Sequence, residues 1–166
     1  MNKQEQHNYY GNLAILCANN SKAKKLKVGA IIVKDGQIMS DGFNGTPSGF
    51  DNQCEDYICT YCEGDYCHIN NPHTGEPCNE ICRFTKLQTR DNVIHAESNA
   101  ILKCAKFGRS TLGADIYITH APCIECAKLI IQAGIKNVYY VYNYHHIDGI
   151  QLIMDAKINI KQIKLY

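Results

Sequence analysis

The chain predicts an α/β fold: a mixed sheet with helices on both faces, three layers in all. Three observations carry this reading. Residues 28–33 and 37–43 are two strand-like runs joined at Lys34-Asp35-Gly36, where Asp and Gly supply what a tight hairpin turn needs. Residues 114–119 (Ala-Asp-Ile-Tyr-Ile-Thr) and the strongly apolar 137–142 also read as strands, with a helical pattern between them. A strand–helix–strand unit of this kind pairs its strands in parallel through a right-handed crossover. Adding a last strand at 158–163 gives a sheet of five strands, part antiparallel and part parallel.

The remaining elements follow in order. Residues 6–20 form a plausible first helix. A Cys-rich stretch then occupies 51–92. His95 opens an apolar-periodic run, 96–106, that stops at Gly108. Pro122 suits the first position of the next helix, because its ring fixes φ and no N–H is needed there; Gly134 ends that helix. A shorter helix at 146–156 precedes the final strand.

With 166 residues, 45% of them apolar, residues 1–166 make a single domain with one substantial core. A net charge of +1 argues against a nucleic-acid polymer or a membrane surface as partner. No apolar run reaches the length of a membrane span and the first residues do not read as a signal peptide, so a cytoplasmic location is expected. Ten cysteines in a reducing compartment point to metal ligation rather than to disulfides.

The chemistry is concentrated in His95-Ala96-Glu97 and Pro122-Cys123-Ile124-Glu125-Cys126. A catalytic zinc takes three protein ligands and leaves one position for water. His95, Cys123 and Cys126 are the three ligands, and Glu97 is the adjacent carboxylate that carries protons. Cys123 and Cys126 are three residues apart, so both sulfurs can face one ion. His95 and Glu97 are two apart, so they must sit at a helix start, where geometry is not yet regular. Two helix N-termini then direct partial positive charge at the metal and its thiolates. H-x-E…P-C-x-x-C is the signature of zinc deaminases acting on cytosine or adenine, in which activated water attacks the carbon bearing the amine.

A family resemblance narrows this. Val28-Gly29-Ala30-Ile31-Ile32-Val33-Lys34, Gly42-Phe43-Asn44-Gly45-Thr46-Pro47-Ser48-Gly49, His95-Ala96-Glu97-Ser98-Asn99-Ala100-Ile101, Ile118-Thr119-His120-Ala121-Pro122-Cys123 and Gln132-Ala133-Gly134-Ile135-Lys136 closely resemble deoxycytidylate (dCMP) deaminases, particularly phage and bacterial members. The likeness spans the chain except for 51–92. It implies a cytidine-deaminase-like α-β-α sandwich with a mixed five-stranded sheet. It also implies zinc-dependent hydrolysis of dCMP to dUMP and ammonia for thymidylate synthesis, with zinc-bound hydroxide attacking carbon 4 and Glu97 as proton shuttle. By resemblance Asn44 holds the sugar or phosphate, Gly45 allows close backbone approach, Thr46 offers a hydroxyl, and Tyr144 is an aromatic near the substrate. His120 either stacks on the base or contacts phosphate, with a plain core or surface role as the alternative.

Lys22, Lys24, Lys25 and Lys27 form either a solvated face or, in one member, a phosphate clamp. Lys25 is the candidate, standing where bacterial relatives carry Arg. The resemblance further implies a homo-oligomer, a hexamer, with dCTP and dTTP as effectors and Mg2+ accompanying a nucleotide effector. In the insertion, Cys59, Cys62, Cys78 and Cys82 make a four-thiolate set for a second, structural zinc, with Cys54, Cys67 and His68 as alternates. Two other readings stay open: a deaminase of another cytosine nucleotide or nucleoside (dCTP, deoxycytidine), and a non-catalytic zinc-binding module.

Overall fold

A computed structural model describes residues 2–59, 85–145 and 147–166. Its elements run α1 (Lys3–Ala18), β1 (Gly29–Lys34), β2 (Gln37–Phe43), β3 (Glu55–Cys59), β4 (Thr85–Thr89), α2 (Ala96–Lys106), β5 (Asp115–His120), α3 (Ile124–Gln132), β6 (Asn137–Tyr142), α4 (Asp148–Asp155) and β7 (Asn159–Gln162). Five strands form one sheet in the order β2-β1-β5-β6-β7. β1 is antiparallel to both β2 and β5, whereas β5, β6 and β7 run parallel. The turn between β1 and β2 has φ of 51° at Asp35 and 76° at Gly36, positive at both central residues as a two-residue hairpin turn requires.

Successive strand residues point to opposite faces, and this alternation builds two cores. Ile32, Ile116, Ile118 and Val138 pack under α2, α3 and α4 through Ala100, Ala127, Ile130 and Ile153. On the other face Ile31, Val33, Tyr117, Tyr139 and Val141 pack under α1 through Tyr10, Ala14 and Cys17. The expected three layers and mixed five-stranded sheet are therefore present.

Two local expectations are corrected. α1 begins earlier than expected, because Asn2 and Glu5 form a reciprocal capping box on its first turn. Pro122 is not the first helical residue, since Cys123 is the N-cap of α3 and Pro122 precedes it. The stretch 51–92 is described at its two ends. Its two ends pair as the antiparallel hairpin β3–β4, and Arg90 clasps Asp56 with hydrogen bonds of 2.9 and 2.8 Å.

The α1 face carries a buried histidine. His7 is 4% exposed, its Nδ1 is 3.2 Å from the Tyr117 hydroxyl, and its ring centroid lies 4.4 Å from that of Tyr139. Its Nε2 has no partner. Desolvation, then Lys3 and Lys161, hold its pKa below the usual 6.5. A depressed folded-state pKa means that the unfolded chain binds the proton more readily. His7 therefore contributes stability present above about pH 6.5 and lost as pH falls through its folded value. Thermal melting of His7→Phe beside the parent protein checks this: the parent should lose its advantage progressively between pH 7 and pH 5.

Candidate active site

His95 and Cys123 occupy equivalent places in two different helices. Each is an N-cap residue with extended backbone, φ −71° and ψ 157° at His95, φ −71° and ψ 170° at Cys123. Neither side chain caps its own helix, so both are left to point elsewhere. They point at each other. His95 Nδ1 lies 3.4 Å from Cys123 Sγ and 3.4 Å from Cys126 Sγ, and the three ligand atoms are all within 4.8 Å of one another.

Two glycines make this meeting of helix starts sterically available. A Cβ on Gly42 of β2 would lie 2.2 Å from the Ala96 carbonyl oxygen, at the start of α2. A Cβ on Gly149 of α4 would lie 2.1 Å from the Pro122 carbonyl oxygen and 2.8 Å from that of Cys123, at the start of α3. Any side chain at either position would displace a backbone segment that carries a ligand.

The donor set fits zinc. Bond lengths of about 2.3 Å to sulfur and 2.0–2.1 Å to nitrogen place tetrahedral N and S ligands about 3.6 Å apart, close to the separations found. Among the described residues no fourth His, Cys, Asp or Glu joins the group, so a tetrahedral ion keeps one position for water. Without metal the two thiols share a proton: the Cys126 thiol stabilises Cys123 as thiolate, with His95 adding to this, while the same pairing pushes Cys126 well above the usual thiol range. The Cys123 sulfur in turn raises His95. Ser98 Oγ lies 3.7 Å from Cys126 Sγ. A thiolate on a metal can only accept there, so Ser98 donates.

Glu97 is the second residue of α2, in its first turn, and is 4% exposed. Burial pushes its pKa above the usual carboxylate value. A carboxyl held up in this way keeps a proton more readily than an exposed one, which suits a group that must both take and give a proton.

A cleft of about 150 Å³ opens onto His95, Glu97 and Cys123. Its wall includes Asn44, Lys25, His120 and Tyr144, so four of the substrate candidates converge with the metal group. Asn44 does structural duty there as well: Oδ1 accepts from Val28 N at 2.8 Å and Nδ2 donates to the Leu26 carbonyl at 2.8 Å. One lone pair and one N–H of the amide remain for a ligand. Of the four lysines only Lys25 lines the cleft, and Lys24 instead sits 5.0 Å above the Tyr57 ring. His120 Nδ1 lies 3.0 Å from Thr119 Oγ1, which already accepts from Gly29 N. Burial lowers the pKa of His120 and so favours the neutral ring.

Gly45 and Thr46 do not line this cleft. Gly45 pairs with Ile94 through hydrogen bonds of 3.1 and 2.8 Å, which anchors the chain just before His95. Thr46 N donates to Asn52 Oδ1, and both residues line a second cavity of about 480 Å³ with Phe43, Lys103, Lys106 and Phe107. Cys54, an alternate structural ligand, is buried beside the catalytic cleft, its thiol pKa raised by burial, and joins no metal group among the described residues. Cys62, Cys67, His68, Cys78 and Cys82 lie outside the described residues, and Cys59 is described only as the backbone end of β3.

One cleft residue escaped the sequence reading. Glu55, 4% exposed, lines the cleft and accepts backbone hydrogen bonds from Lys24 and Lys25. A single acidic residue in a Cys-rich polar stretch carries no periodicity or spacing that would have marked it.

Comparison with known proteins agrees with this geometry. Residues 4–142 match the family model for the cytidine and deoxycytidylate deaminase zinc-binding region. ComE operon protein 2 of Bacillus subtilis is 37% identical over 166 residues, covering 99% of this chain and 75% of that protein. Deoxycytidylate deaminase of Enterobacteria phage T4 is 37% identical over 150 residues, 80% of this chain and 75% of the phage protein. Among solved structures, dCMP deaminase from the cyanophage S-TIM5 in complex with dCMP and dUMP superposes with a TM-score of 0.75 at 36% identity, covering 98% of this chain and 100% of the other.

Proposed function

The chain belongs to the cytidine and deoxycytidylate deaminase zinc-binding family, and on that premise we propose that it hydrolyses dCMP to dUMP and ammonia. The observation that carries the proposal is the convergence of Glu97, the His95–Cys123–Cys126 group and Lys25 on one cleft. Zinc, which His95, Cys123 and Cys126 would hold, would supply a water whose pKa is lowered toward ~7, giving a nucleophile at neutral pH. The chain's own residues do the rest. Glu97 takes the proton released from that water and delivers it to ring nitrogen 3 of the cytosine; it then relays the proton of the hydroxyl now on carbon 4 to the departing amine, which leaves as ammonia as the carbon 4 carbonyl forms. Burial of Glu97 keeps bulk water away from those transfers.

Recognition of the nucleotide falls to the outer cleft. Asn44 offers its remaining N–H and lone pair to the sugar. Lys25 offers a point charge to the 5′-phosphate without the two-pronged fork of an arginine. His120 and Tyr144 give aromatic surface against the base. A nucleotide substrate, rather than a free nucleoside, is the reading that uses Lys25.

The finer features are part of the same proposal. The second cavity, with Lys103 and Lys106 as cations and Phe43 and Phe107 as aromatic walls, has the chemistry of a nucleotide effector site, suited to dCTP or dTTP with Mg2+. Exposed Leu102, Phe107, Leu129 and Met154 on the α2–α3–α4 face suit burial between copies in a homo-hexamer. A second zinc in the stretch 51–92 and a cytoplasmic location complete the reading.

The test is ammonia release from dCMP, dCTP, deoxycytidine and CMP by zinc-loaded protein, with and without dCTP and dTTP as effectors. dCMP should be the preferred substrate. Lys25→Ala should raise KM for dCMP by about tenfold or more, the size of effect expected for losing a charged hydrogen bond. Its effect on deoxycytidine should be small. Equal rates on dCMP and deoxycytidine in the parent protein would contradict the nucleotide reading.

A further inference from the structure

Glu55 has an arrangement that neither the metal chemistry nor the core accounts for. It begins β3 and lines the active-site cleft. There it is 4% exposed and takes three short contacts: Lys24 N to both oxygens at 3.1 and 3.0 Å, and Lys25 N to Oε1 at 3.2 Å. Among the described residues no cationic side chain forms an ion pair with it. Burying a carboxylate against backbone N–H groups alone is costly unless those bonds are well made.

The partners are informative. Residues 19–28 join α1 to β1 without regular secondary structure, and the N–H groups of Lys24 and Lys25 go to Glu55 rather than to a helix or strand carbonyl. The two that Glu55 serves belong to Lys25, which lines the cleft, and to the residue before it. Lys24 is turned away and held over Tyr57, which lies on the same strand as Glu55. β3 therefore grips this segment twice, by backbone at Lys24 and Lys25 and by side chain at Lys24. The residue left directed into the cleft is Lys25.

We propose that Glu55 is a positioning residue for phosphate recognition: by fixing the backbone of Lys24 and Lys25 it holds the Lys25 ammonium where the 5′-phosphate of the substrate lies. This rests on the reading of Lys25 as phosphate ligand. Glu55 touches neither the base nor the reacting atoms; it acts through Lys25. It also makes β3 a working part of the substrate cleft.

A double-mutant cycle tests this with KM and kcat measured on dCMP and on deoxycytidine. Glu55→Gln keeps the shape but replaces one accepting oxygen by an N–H₂ that faces a backbone donor. It should raise KM for dCMP by about tenfold or more while kcat stays within about twofold, and leave deoxycytidine turnover little changed. Combined with Lys25→Ala it should add almost nothing to the loss caused by Lys25→Ala alone, because the two act through one contact. Independent, multiplying effects would overturn the proposal, as would an equal loss on both substrates, the mark of a merely structural role. Should Glu55→Gln fold poorly, as judged by melting and zinc content, Glu55→Asp, too short to reach both N–H groups, is read by the same criteria. A Lys25→Ala variant that changes neither substrate would overturn the phosphate reading itself, distinguishable from a loss on Lys25→Ala with none on Glu55→Gln, which overturns only the role of Glu55.

Discussion

Glu97→Gln should bind zinc as the parent does and lose at least about 10³-fold in kcat. Positioned general acid–base catalysis contributes roughly 10²–10⁴-fold to a single transfer, and Glu97 is asked to serve three transfers in succession. The amide is nearly isosteric, so the buried site at the start of α2 should keep its packing. It cannot cycle a proton. Glu97 is also the residue whose burial raises its pKa, and that burial is useful only for a group that must be protonated at one step and ionised at the next. Zinc content by mass spectrometry and ammonia release on the same preparation check both halves. A Gln variant within tenfold of the parent rate would remove Glu97 from the mechanism.

Cys126→Ala, or removal of the ion with a chelator, should have an equally large effect with a different signature. The ligand set is three residues, so losing one leaves two protein donors where a catalytic zinc needs three. Cys126 is also the least replaceable of them by solvent, being buried to 1% exposure. Activity should then follow zinc content, disappear with chelation and return with added zinc in the parent but not in Cys126→Ala. Melting should fall as well, since the ion ties the start of α2 to the start of α3, two elements that meet there through few other groups. Activity that persists in thoroughly chelated protein would contradict the metal assignment.

The chemical core of the site was legible because its constraints are local in sequence. Two-residue spacing forced His95 and Glu97 to a helix start, and His95 is indeed the N-cap of α2. Three-residue spacing put Cys123 and Cys126 on one turn of α3. The sheet was legible for a similar reason: apolar alternation and the Asp35-Gly36 turn specify the β1–β2 hairpin without outside help. What escaped was set by partners far along the chain. Glu55 finds backbone N–H groups about thirty residues away, and a backbone donor leaves no mark in a sequence. The turn-forming residues Gly45 and Thr46 gave no sign that bridging to Ile94 would direct them toward a second cavity. Among four lysines nothing local distinguished Lys25; the Tyr57 ring that takes Lys24 distinguishes it.

The most direct test of hydrolytic deamination in this cleft is the reaction of zinc-loaded protein with dCMP in water enriched in oxygen-18. The account predicts dUMP and ammonia in equal amounts, with one heavy oxygen per dUMP at carbon 4. Intact dCMP after incubation with protein carrying its catalytic zinc, or dUMP without the label, would contradict it.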